Sequence, residues 1–150
     1  MGTEQFKRDF VKEAVHGEPA ELVRALVPMD DAQARFQILR LSSVSRLSHL
    51  LRTVPPSITQ EASRNFDALR EWALASIIAG DEAAAAGLPT PEEVANNPNV
   101  CSKQTFLGYE ALRQAHLPIR EGGFGLISSD AIKGAASSGT APRASQRRWP

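Results

Sequence analysis

The chain has 150 residues, 42 % of them hydrophobic and 23 % charged, which is ordinary globular usage and excludes a chain disordered throughout. Its 17 Lys and Arg balance 17 Asp and Glu, so it lacks the overall basic field of a dedicated nucleic-acid binder. A single cysteine excludes an internal disulfide, and no stretch approaches the roughly 18–20 apolar residues of a membrane helix. These features read as a soluble, intracellular protein with no membrane contact.

Thr3 to Val15 places Phe6, Phe10 and Ala14 on one helical face, with Thr3 as N-cap and Glu4 in the first turn. Gly17 ends that helix, and Pro19 suits the first position of a second one carrying Leu22, Val23 and Leu26. Asp30 then reads as the N-cap of the longest helix, whose apolar stripe is Phe36, Leu39, Val44, Leu47, Leu50 and Leu51. It should stop by Val54, because Pro55 and Pro56 follow.

Ser57 with Gln60 has the spacing of a capping box, and Ile58, Ala62, Phe66, Leu69, Trp72 and Ala73 form one face of the helix up to Gly80. The Ala83 to Ala86 run is a modest helix former. Thr90 with Glu93, enclosing Pro91, is a second capping box opening a short helix. Phe106, Leu107, Tyr109, Ala111 and Leu112 suggest a helix to His116, Gly122, Gly123 and Gly125 a turn, and Ser128 onward a final helix. The fold class is all-α: an irregular array of about five to seven helices over residues 1–136.

From Ser137 the composition shifts to Ser, Gly, Thr, Pro, Ala and Arg, so residues 137–150 read as a disordered basic tail. Arg143, Arg147 and Arg148 lie there with no acid, leaving 14 bases against 17 acids in the first 136 residues.

Chemistry-bearing motifs are few. Asp30-Asp31 precedes an amphipathic helix rather than sitting on a strand turn with a third carboxylate, which suits a helix cap and not a metal pair. The glycine cluster matches neither phosphate-loop pattern, and His16, His49 and His116 carry no hydrolase frame. Cys101 reads as a buried small apolar residue. No catalytic residue, metal ligand or cofactor site is expected. Arg46, His49 and Arg52 recur every three residues along one flank of the long helix, where they are either an ordinary solvated edge or contacts to phosphates. Arg40 falls inside the apolar stripe and must find an acceptor or reach out along its stem.

Two stretches carry a resemblance. Residues 35–56, RFQILRLSSVSRLSHLLRTVPP, and residues 111–136, ALRQAHLPIREGGFGLISSDAIKGAA, resemble the region after the palm in reverse transcriptases of non-LTR retrotransposons, although that family often has proline where Ser45 stands. The resemblance implies thumb and post-palm helices that hold the template-primer duplex, without the palm aspartates, and therefore no independent activity. It adds weight to Arg46, His49 and Arg52 as weak contacts to RNA or an RNA-DNA duplex. The stretch from Ser137 departs from the family and reads like a shifted frame. The expectation is a non-catalytic retroelement remnant, prone to self-association through apolar helix faces left uncovered. The alternative is a small helical interaction or RNA-binding module; complementation of a complete polymerase in trans has no support in the residues.

Overall fold

The computed structural model describes residues 3–83 and 85–138; the side chains of Val44, Arg46, Pro98 and residues 134–138 lie outside the described set. Among the described residues the chain forms seven α-helices and no strand. They are α1 (Glu4–His16), α2 (Glu18–Leu26), α3 (Ala32–Thr53), α4 (Pro56–Ala79), α5 (Pro91–Asn96), α6 (Tyr109–His116) and α7 (Ser129–Ser138), with 3-10 turns at Gly80–Glu82, Pro98–Lys103 and Ile119–Glu121. The all-α expectation holds.

Helix α4 is the axis of the molecule. Its predicted face is buried at every position, and Phe66 and Trp72 are the largest side chains fully enclosed. Removing each aromatic from water stabilises the fold by about 1.5–3 kcal/mol or more. Trp72 also keeps its polar atom satisfied, donating Nε1–H to the Pro89 carbonyl at 2.9 Å. Helices α1, α2, α3 and α7 and the Pro98–Lys103 turn all pack on α4. Leu39, Leu47 and Leu51 bring the α3 stripe into the same core, with Phe36 and Leu50 half-buried against it. Arg35 on α3 closes the end of α2 by donating to the Val27 carbonyl at 2.9 Å.

Several local expectations shift. Phe6 and Phe10 are 64 % and 54 % exposed, and α1 instead buries Val11 and Val15. Two apolar stripes compete on this helix, and the single-residue joint at Gly17 turns the valines toward α4 and α2. The cap of α3 is Asp31 rather than Asp30, accepting from the Gln33 and Ala34 amides at 2.9 and 3.0 Å. The Ser57–Gln60 box does not form, because α4 already begins at Pro56, whose fixed φ suits the first helical position. Of the alanine run, Ala83, Ala85 and Ala86 lie in turns that follow the Gly80–Glu82 3-10 turn, the span before Gly87 being too short to nucleate an α-helix. Helix α6 starts at Tyr109, leaving Phe106 and Leu107 half-buried in the segment before it.

The Thr90–Glu93 capping box forms in both directions. Helix α7 continues to Ser138, two residues past the expected boundary, and the rest of the predicted tail, residues 139–150, lies outside the described residues. No helix among the described residues is long and apolar enough to cross a membrane.

Candidate functional site

The capping by Asp31 and the stop at Pro55 fix α3 in register, so that burying Leu47 and Leu51 turns residues 45, 49, 52 and 53 outward. His49 and Arg52 are both exposed on this face, three residues apart and therefore adjacent on the helix surface. Neither is paired with an acid among the described residues. Arg46 belongs to the same helix, but its side chain lies outside the described set. Arg52 stands in the last turn of α3, where the helix dipole also favours a cation, so its position has a structural reason independent of any ligand.

A second polar assembly lies where α4 meets the start of α7. Asp67 on α4 accepts from the Ser128 hydroxyl at 2.6 Å and from the Ser129 and Asp130 amides at 2.9 and 3.1 Å. One carboxylate thus caps the N-terminus of α7 from across the fold. Arg70, one turn further along α4 and 3 % exposed, sits 3.4 Å from Asp67 and donates to the Ile127 carbonyl at 2.6 Å. Burial pulls the Arg70 pKa down and Asp67 opposes that shift. Its Nε and Nη2 have no partner, so the clamp is only partly satisfied.

The glycine turn between α6 and α7 is a helix-end device. The amides of Phe124 and Leu126 donate to the Gln114 and Ala115 carbonyls at 3.1 and 2.9 Å, satisfying carbonyls that the end of α6 leaves without helical partners. Gly125 donates to Leu117 at 2.9 Å, and His116 Nδ1 meets the Leu126 carbonyl at 2.9 Å. A side chain at Gly123 is impossible without movement: its Cβ would stand 2.1 Å from the Leu117 carbonyl oxygen.

Comparison of the chain with protein-family models, curated proteins and solved structures gives no match. Function therefore rests on these side chains and on the residues themselves.

The remaining candidate residues are disposed as follows. Cys101 is fully buried and its thiol is pushed up to about 11 by burial, which withholds the thiolate a nucleophile needs. His16 ends α1, His116 ends α6, and no cluster of three or more metal-ligating side chains exists among the described residues. Arg40 is half-buried and rests across the glycine turn, its Nε 3.5 Å from the place a Gly125 Cβ would occupy. Reading the sequence missed Asp67 and Arg70. Their signal was an opposite-charge pair three residues apart beside the buried Phe66 and Leu69, since a charge at that position on a wheel must be partnered.

Proposed function

We propose that the chain is a non-catalytic helical piece of a reverse-transcriptase-type polymerase, from the region that supports the template-primer, with the Arg46, His49 and Arg52 edge facing phosphates. The observation that carries this reading is how the two resembling stretches meet. Phe36 and Phe124 pack edge to face with ring centroids 5.5 Å apart, and Arg40 lies on Gly125, so segments far apart in sequence form one packed unit. Helix α7, from the second stretch, also lies against α3, from the first.

The test is binding of the purified chain to an RNA-DNA duplex, followed by fluorescence anisotropy across a salt series. Each phosphate contact contributes about one unit to the salt slope, so Arg46→Ala with Arg52→Ala should lower it by about two. No binding at low salt removes the duplex-supporting role, and metal-dependent primer extension by the chain overturns the non-catalytic one.

A second reading, a protein-interaction module, is favoured by one feature. Phe6 and Phe10 flank a groove of about 290 Å³ closed on its other side by Val54 and Pro55. Two exposed phenylalanines one turn apart form a surface that a partner or a second copy would cover.

A further inference from the structure

An open groove of about 660 Å³ lies between α3, the end of α6, the glycine turn and the start of α7. That volume is within the roughly 300–1,000 Å³ of clefts that hold small organic ligands. Its walls are mainly apolar, with Ile119 and Ile127 both more than half exposed, Ala131 exposed beside them and Leu126 buried. Arg40 is the one guanidinium lining it among the described residues, and no carboxylate among them lines it with it. Among the described residues no hydrogen bond or ion pair engages Arg40, and its guanidinium keeps solvent access, so the charge is available to an anion entering the groove.

Part of the backbone around the groove is already hydrogen-bonded. The Leu126 and Ile127 carbonyls are taken by His116 and Arg70, and the Gly125 and Leu126 amides donate to Leu117 and Ala115. An extended peptide would find isolated backbone groups such as the Ile127 amide but no run of them to pair with. An aliphatic chain requires none, and an anionic end would complete Arg40.

We infer that this groove binds an aliphatic monocarboxylate, its carboxylate on Arg40 and its chain along Ile119, Leu126 and Ile127. The site is independent of the polymerase reading. A neutral alcohol of the same length gains only the apolar contact, and an aliphatic cation meets like charge.

Titration calorimetry of the full chain with dodecanoate, dodecanol and dodecyltrimethylammonium, each below micelle formation, tests it. Dodecanoate should bind saturably at one site, about tenfold or more tighter than dodecanol, with the cation weakest. Arg40→Met keeps the apolar stem and should erase the preference for the carboxylate, whereas Ile127→Ser should weaken both ligands. In the unmodified protein the Arg40 Nε–H resonance should shift on titration with dodecanoate, a readout that stands if a variant fails to fold. Equal affinity for the alcohol, a preference retained in Arg40→Met, absence of saturable binding, an unmoved Arg40 resonance, or displacement of dodecanoate only by an acidic helical peptide and not by other aliphatic carboxylates would overturn the assignment.

Discussion

Asp67 on α4 accepts the backbone N–H of Ser129 at 2.9 Å, so α7 is capped by a residue 62 positions earlier in the chain. The same carboxylate holds the buried Arg70, which makes its removal costly twice over. Loss of a cap destabilises by about 1 kcal/mol and an abandoned buried charge by roughly 3–5 kcal/mol. Asp67→Ala should therefore lower unfolding stability by about 3–5 kcal/mol, a large share of the ~5–15 kcal/mol typical of a domain. Combining it with Arg70→Met should recover at least half of that loss, because the stranded guanidinium is gone. Urea unfolding at pH 7 of both variants checks this; a shift under about 1 kcal/mol for the single variant would mean that α7 is held by packing instead.

Gly123 and Gly108 separate a forced glycine from an optional one. A methyl at 123 meets the Leu117 carbonyl at 2.1 Å, so Gly123→Ala must open the turn that closes α6, at a cost of about 2 kcal/mol or more. Gly108 caps α6 with φ −62° and open space around it. Gly108→Ser should therefore stabilise by about 0.5 kcal/mol, by supplying a cap hydroxyl and restricting the unfolded chain. Melting temperatures of the two variants should move in opposite directions.

These positions also mark what was legible in the sequence. The Thr90–Glu93 box, the Pro55-Pro56 stop, the α4 stripe and the glycine turn were readable because each is specified by neighbours within a turn or two. The outward position of His49 and Arg52 followed from the same period, since they flank the buried leucines. What was hidden depended on distant residues. The choice between valine and phenylalanine faces on α1 is made by α4, the Asp67 cap reaches 62 positions along the chain, and the setting of Arg40 is created by a turn 85 positions later. The Ser57 box failed for a local reason, because a proline one position earlier offered a better start.

Two half-buried titratable groups, His16 and Glu71, give opposite dependence on pH. Burial, with Arg24 and Lys12 nearby, holds His16 below its ordinary 6.5. The unfolded chain takes up this proton near 6.5 and the folded chain only at lower pH, so stability is full above 6.5 and falls as pH drops below it. Replacing His16 with Gln should flatten that fall. Glu71 is raised from 4.5 chiefly by burial, with Asp67 adding to the shift while His116 and Arg70 oppose it. Its ionisation therefore costs stability as pH rises through 4.5, and Glu71→Gln should raise the melting temperature at pH 7 but not below 4.5. A series of melting curves from pH 4 to 8 resolves the two, and a His16→Gln profile parallel to the parent would remove the histidine from the account.

Helix α1 turns its valines, and not its phenylalanines, into the core. Val15 is 2 % exposed and Phe10 54 %, so the larger side chain is the less important to the core. Val15→Ala leaves a cavity beside Phe66 and Leu69 and should cost about 1–3 kcal/mol. Phe10→Ser removes more apolar surface but should change stability by no more than about 0.5 kcal/mol, because that surface is already in water. If a second copy or a partner covers the Phe6–Phe10 face, Phe10→Ser should instead lower the apparent mass in sedimentation of the concentrated protein. Equal destabilisation by both substitutions would reverse the assignment of the two faces and place the phenylalanines against α4.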